Sequence, residues 1–366
     1  MVVGAALVAA CGGDDDDDAA AETEPAAATT PATGAPAATE APGTTSAPAP
    51  TDAPATSDAP VGEAAFPVSI EHKFGTTTIE AEPQRVVSVG FNDQDALLAL
   101  GVVPVGIREW YGEQPFATWP WAIDALGDAE PEVLASAELN FEQITALEPD
   151  LIVGLSSGMT ESDYATLAGI APTIAQSAEY IEYGVPWDVG TLTVGRAVGR
   201  AAEAEALVTE VQDRIASIAA AHPEWAGQEV AVGYVLSDTE IGAYASGDPR
   251  PQLLAQLGLV TPAEFDELAG DLFYSSFSFE EIGRLDRDVL VWIASTPEVM
   301  AQIEASPLRP TLQASTEGRE VFLGQLEAGA FSFGSVLSLP YLLDALVPQI
   351  EAAIDGDPAT VVPAAE

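Results

Sequence analysis

One pattern occurs twice in this chain of 366 residues and constrains the fold more than any other feature. Glu142-Gln-Ile-Thr-Ala-Leu-Glu-Pro-Asp-Leu-Ile-Val153 and Glu280-Glu-Ile-Gly-Arg-Leu-Asp-Arg-Asp-Val-Leu-Val291 both read E-x-I-x-x-L-x-x-D followed by three aliphatics. The spacing of Ile and Leu puts both on one helical face, and the aliphatic triplet suits a strand buried on both sides. Each copy therefore predicts a helix packed on a sheet, a turn and a parallel strand. Repetition of that unit predicts two similar α/β lobes.

The flanking sequence agrees. Residues 68–73 and 76–80 around Phe74-Gly75 read as a hairpin that leaves His72 exposed. Short strands at 85–89, 104–107 and 150–153 alternate with helices at 93–100 and 141–147. The alternation pauses at Trp187. Residues 192–221 are rich in Ala, Glu, Val and Ile, with apolar residues at helical spacing at Ala204, Leu207, Val208, Val211, Ile215 and Ile218, and His222-Pro223 ends the run. Strands at 230–236, 289–293 (with Trp292 in the core) and 321–323, a hairpin at Tyr244, a helix at 252–257 and a closing helix from Leu337 build the second lobe. The expected architecture is two Rossmann-like lobes joined by a single long helix: an N-terminal lobe at 63–186, a bridging helical segment at 187–222, a C-terminal lobe at 223–356 and a flexible tail at 357–366.

Ahead of the lobes, residues 1–11 form a short apolar run that ends in the chain's one cysteine, and Val8-Ala9-Ala10-Cys11 resembles a bacterial lipobox. No Lys or Arg precedes Cys11, so a basic leader region is missing from this start. Residues 12–62 carry Asp14 to Asp18 and an Ala/Pro/Thr/Glu-rich stretch with no aromatic, a composition that cannot offset the entropy of ordering. The Asp run suits a solvated spacer better than a calcium site, since no glycine-turned loop arranges its carboxylates. A flexible-coil estimate for this tether gives a reach of ~40 Å. Lipidation at Cys11 would hold the folded body at the outer face of the cell membrane.

Composition narrows the function. The formal net charge is −47; residues 12–62 hold ten of the 58 acids and no base, which leaves 48 acids against 11 bases elsewhere. Such a surface argues against nucleic-acid binding, which needs clustered cations. One cysteine and two histidines, His72 and His222, leave little for a Cys/His metal centre. No run approaches the ~20 apolar residues of a membrane span.

Residues 83–90, 95–106, 140–153, Ile170-Ala-Pro172 and Phe279-Glu280-Glu281-Ile282 occur in the order in which the chain resembles the periplasmic-binding-protein family of ABC importers for ferric siderophores, and more distantly the vitamin B12 binders. The match covers about residues 66–352. The resemblance implies no catalysis and no cofactor: a monomer clasps its ligand between the lobes, iron arrives already chelated by the siderophore, and the loaded protein docks on a permease dimer that works with an ATPase. It also implies that Glu142 and Glu280 are surface carboxylates, one per lobe, that meet permease arginines. Cobalamin or haem is the alternative ligand within the same fold.

Open α/β sheets bind ligands beyond the C-terminal ends of their strands. That places Phe91, Asn92, Arg108, Trp110, Tyr111 and Ser156 at the cleft in the first lobe, and Tyr244, Arg250, Phe273, Tyr274, Phe331 and Phe333 in the second. Phe91, Phe273 and Phe331 suit core as well as cleft, while Trp119 and Trp121 sit in a proline-bounded loop within reach. Aromatics match the apolar faces of a siderophore, and arginine can donate to its metal-bound oxygens. Two arginines in an acidic body favour a near-neutral hydroxamate or mixed-type chelate over an anionic tris-catecholate. A hydrolase is the competing class, because Gly154-Leu-Ser156-Ser-Gly158 is a literal G-x-S-x-G after a strand; it would need His222 as its base. A surface adhesin or sensor would share the anchor and tether without needing two matched lobes.

Overall fold

A computed structural model of the chain describes residues 66–364; Cys11 and the tether at 12–62 lie outside the described residues. Strands β1 (Val68–His72) and β2 (Gly75–Ile79) form the expected hairpin. His72 is nevertheless buried, because the hairpin packs against the first lobe: its Nε2 lies 2.9 Å from the Thr77 hydroxyl, which in turn donates to the Thr173 carbonyl. The first lobe then runs β3 (Val86–Ser88), α1 (Asp93–Ala99), β4 (Gly106–Arg108), α2 (Ile123–Leu126), β5 (Glu132–Leu134), α3 (Phe141–Ala146), β6 (Leu151–Gly154), α4 (Glu161–Ala168) and β7 (Thr173–Ala175). Its five strands are all parallel, in the order β5-β4-β3-β6-β7.

The linking segment holds two helices, α5 (Trp187–Ala197) and α6 (Ala201–Ala221), rather than one from 192 onward. The chain turns between them at Gly199, whose φ of 73° favours glycine. Helix α5 belongs to the first lobe, where Val194 and Ala197 join its core. The 21-residue α6 makes the bridge: Ala204 packs in the first lobe's core, and Val208, Val211 and Ile215 pack in the second's.

The second lobe comprises β8 (Val230–Val235), β9 (Glu240–Tyr244), α7 (Pro249–Gln256), α8 (Ala263–Ala269), β10 (Tyr274–Ser278), β11 (Val289–Ile293), α9 (Pro297–Ala305), α10 (Gln313–Thr316), β12 (Glu320–Leu323), α11 (Gln325–Phe333) and α12 (Ser338–Ile354). Its sheet, β10-β9-β8-β11-β12, is parallel through β8, β11 and β12 and antiparallel at β9 and β10. Trp292 is fully buried there, its indole donating to Glu320 Oε1 at 2.8 Å.

The repeated pattern folds as two versions of one unit. Ile144 in α3 and Ile282 and Leu285 in the second copy are buried beneath their sheets. The second copy is a 3-10 segment, Phe279–Leu285, kinked at Glu281, instead of an α-helix. Gly283, in the place of Thr145 in the first copy, disfavours a regular helix there. Among the described residues no helix is long and apolar enough to cross a membrane.

Candidate functional site

The parallel strands of the first lobe end beside one cavity. Phe91 and Asn92 follow β3, Trp110 follows β4 and Ser156 follows β6. From the second lobe come Asp248, Pro249 and Arg250 at the start of α7, Phe273 just before β10, and Ser332 near the end of α11. Tyr183, from the connector before α5, completes the lining of a cavity of about 250 Å³. Of the residues expected at the cleft, six therefore meet: Phe91, Asn92, Trp110, Ser156, Arg250 and Phe273.

Arg250 is the cavity's cation. Asp248 caps α7 by accepting from the Arg250 backbone N–H at 2.9 Å, and its two oxygens accept from Arg250 Nη1 at 3.0 and 2.8 Å. The guanidinium also lies 4.0 Å from the centre of the Tyr244 ring. Burial alone would lower the Arg250 pKa, but the carboxylate of Asp248 more than offsets it, so the arginine stays charged. Its Nε is buried with no partner.

Arg108 sits differently. Its Nε and Nη2 donate to the Ser136 carbonyl at 3.2 and 2.7 Å, and its Nη1 donates to Ser157 and Val89 carbonyls at 3.0 and 3.3 Å. The guanidinium backs the Phe91 ring at 4.3 Å and does not line the cavity. Sequence alone placed it in the cleft because it ends β4; the loop carbonyls that hold it come from segments 19 to 49 residues away.

The remaining expected residues build the walls from behind. Phe333 packs among Trp110, Tyr111, Trp119 and Trp121, with ring centres 5.3 to 6.5 Å apart. Tyr111 is edge-on to Trp110 at 4.9 Å, and burial pushes its phenol up to about 12. Trp119 is fully buried and stacks on Trp121 at 5.0 Å. Tyr244 and Tyr274 flank Tyr234 at 4.9 and 6.1 Å, and Phe331 is buried in the second lobe's core. Glu142 and Glu280 are both exposed, in the first turns of α3 and of the 3-10 segment.

Sequence reading passed over Tyr183, Asp248, Pro249 and Ser332. Asp248 had a legible signal, since Asp-Pro at a helix start is a cap followed by its first residue. Tyr183 had none, because its connector is neither helix nor strand.

Direct hydrogen bonds join the lobes beside the cavity. Asn92 Nδ2 donates to the Phe333 carbonyl at 2.6 Å, and Asp95 Oδ2 accepts from the Ser335 hydroxyl at 2.5 Å, while within the first lobe the same oxygen accepts from Trp121 Nε1 at 2.8 Å. Asp95 Oδ1 is buried without a partner. Burial pushes the carboxyls of Asp93 and Asp95 up to about 6, against the hydrogen bonds that lower them.

The G-x-S-x-G segment is structural. Ser157 makes the turn, donating to the Gly154 carbonyl at 2.9 Å and accepting from the Met159 N–H at 3.2 Å. His222 stacks on Trp225 at 4.2 Å and contacts Glu224 and Glu351, while His72 is held in the hairpin, so neither histidine serves Ser156. Among the described residues no group of three His, Cys, Asp or Glu could hold a metal ion.

Two α/β lobes bridged by a helix, closing on an aromatic cavity at their strand ends, define a two-lobed solute-binding protein. A family model described as periplasmic binding protein matches residues 86–325, and the chain belongs to that family, a family of binding proteins rather than enzymes. It is 30% identical over 233 residues to the probable siderophore-binding lipoprotein YfiY of Bacillus subtilis, covering 61% of this chain and 68% of that one. It is 29% identical over 205 residues to the Fe(3+) dicitrate-binding periplasmic protein FecB of Escherichia coli, covering 54% and 64%. Among solved structures, a periplasmic solute binding protein from Mycobacterium smegmatis superposes with a TM-score of 0.71 at 34% identity, covering 78% of this chain and 98% of that one. PiaA of Streptococcus pneumoniae in complex with ferrichrome gives 0.67 at 26% identity, covering 79% and 99%.

Proposed function

We propose that this protein captures a ferric siderophore in the interlobe cleft and delivers it to an ABC permease dimer with its ATPase. In this reading it works as a monomer outside the cell, held at the membrane by a lipid on Cys11. Iron is cargo and arrives chelated, so the protein supplies shape, aromatic contact and hydrogen bonds and needs no cofactor.

The observation that carries the reading is the Arg250–Asp248 pair in an aromatic cavity. The pair is neutral as a unit, and the Arg250 Nε remains a buried donor without a partner. A near-neutral chelate whose metal-bound oxygens accept hydrogen bonds fits it better than a highly anionic tris-catecholate, which supports the hydroxamate type. The names of YfiY and FecB support an iron chelate as the ligand, and the ferrichrome complex of PiaA supports the hydroxamate type. A 27% identical cobalamin-binding protein of Halobacterium salinarum, matched over 249 residues, supports cobalamin as the second candidate.

Titration of the purified protein with ferrichrome, a ferric catecholate, cobalamin and haem, followed by tryptophan fluorescence, tests the assignment. Trp110 lines the cavity and stacks on Phe91 at 5.4 Å, so a bound chelate quenches it. Saturable quenching by ferrichrome is expected. A response to cobalamin or haem alone overturns the siderophore reading, and a preference for the catecholate overturns the hydroxamate assignment.

A further inference from the structure

Tyr183 differs from every other aromatic on the cavity wall. Phe91, Trp110 and Phe273 sit next to strands, and each is braced from behind: Phe91 by Arg108 at 4.3 Å, Trp110 by Tyr111 at 4.9 Å and Phe273 by Tyr274 at 4.9 Å. Tyr183 comes from the irregular connector between β7 and α5, and its backbone is left-handed, with φ of 62°. That conformation is unfavourable for a residue with a Cβ and persists where the surroundings hold it.

The surroundings do hold it, from both lobes. The Tyr183 ring is near-parallel to Phe91 of the first lobe, with centres 6.1 Å apart, and edge-on to Phe273 of the second at 5.6 Å. Its hydroxyl occupies the space above Gly158 in which a Cβ would collide, so the glycine makes room for it. Gln176 Nε2 fixes the connector to the first lobe by donating to the Tyr180 and Ile181 carbonyls at 2.8 and 2.6 Å. Gln252 Nε2, on α7, reaches the Gly184 carbonyl at 3.3 Å from the second. The cavity beneath, at about 250 Å³, is smaller than the ~300–1,000 Å³ of ordinary small-molecule sites.

We propose that Tyr183 is a specificity-determining residue of this cleft: an aromatic strap, spanning the mouth from Phe91 to Phe273, that swings off both rings to admit a bulky chelate and then closes against it. The inference rests on the siderophore reading for the nature of the ligand, and on geometry for the strap. Entry has to displace the one aromatic wall that comes from an irregular connector and not from beside a strand, and a large ligand gains contact with the ring that a small one does not reach.

The test compares wild type with Tyr183→Asn, which tolerates the left-handed backbone but lacks the ring, and Tyr183→Phe, which keeps the ring without the hydroxyl. Stopped-flow fluorescence with ferrichrome is expected to show dissociation two- to tenfold faster in Tyr183→Asn, about the value of one aromatic contact, with Tyr183→Phe near wild type. Ferric citrate, the smaller probe, should dissociate from both at the wild-type rate. Unchanged ferrichrome dissociation in Tyr183→Asn, or an equal change for both probes, overturns the proposal. Hydrogen exchange on ligand-free protein separates its failure from failure of the siderophore reading. The Gly184 N–H, which donates to the Ile181 carbonyl at 3.0 Å, should exchange faster in Tyr183→Asn at an unchanged melting temperature. If wild type binds neither probe the siderophore reading fails, and unaltered Gly184 exchange then refutes the strap as well.

Discussion

Asp150 and Asp288, the aspartates of the repeated pattern, perform the same task in the two lobes. Asp150 accepts from the backbone N–H groups of Gln84 and Arg85, both at 2.8 Å, and so fixes the chain as it enters β3. Asp288 accepts from the Glu229 N–H at 2.8 Å, at the entry to β8. Each thus ties the repeated unit to the first strand of its own sheet, which explains why the pattern includes an acid before its aliphatic triplet.

The Asp150→Ala protein should therefore lose about 1–2 kcal/mol of stability, since two backbone donors lose a charged acceptor. Asp288→Ala, with one such bond, should lose about half as much. Urea unfolding measures both. A larger loss in Asp288→Ala than in Asp150→Ala would show that the two aspartates are not equivalent.

Asp95 and Asp93 predict an unusual pH dependence. Their folded pKa of about 6 lies above the ordinary 3.8, so between about pH 4 and 6 the folded chain binds more protons than the unfolded one. Their contribution is full below that window, falls as pH rises through it, and is level above, at a cost of up to about 3 kcal/mol each. Asp95→Asn keeps an acceptor for Trp121 and Ser335 without the charge. Its stability relative to wild type should rise between pH 5 and pH 7.5; a constant difference would show that Asp95 does not titrate in that range.

The two arginines should separate. Arg250→Ala removes a donor facing the cavity and is expected to weaken ferrichrome binding about ten- to a hundredfold. Arg108→Ala leaves the Ser136, Val89 and Ser157 carbonyls without their donor, so it should lower the melting temperature more than it lowers affinity. Calorimetric titration and melting of both proteins decide this, and equal affinity losses would place Arg108 in the ligand's path.

The double Glu142→Ala, Glu280→Ala protein should bind ligand normally and melt within a few degrees of wild type, because both side chains are exposed, yet fail to support iron uptake in cells. Uptake at the wild-type rate would reduce these glutamates to residues of the first turn, where a carboxylate favours the helix dipole.

Much of this protein is legible along the chain. The repeated pattern states two α/β lobes, and strand ends point to Phe91, Asn92, Trp110 and Ser156, because strand alternation and helical spacing are local properties that survive in one dimension. Tertiary structure decided the rest. The second repeat folds as a 3-10 segment where the first is an α-helix, and the chain turns at Gly199 between the linking helices. Which arginine meets the cavity depends on carbonyls brought from Ser136 and Ser157 to Arg108, and on Asp248 holding Arg250 in place. His72 is buried because a hairpin folds back on the first lobe, and Tyr183 reaches the cleft because both lobes converge on its connector. A sequence specifies which groups can donate, stack or ionise; only the folded chain decides which of them face the same space.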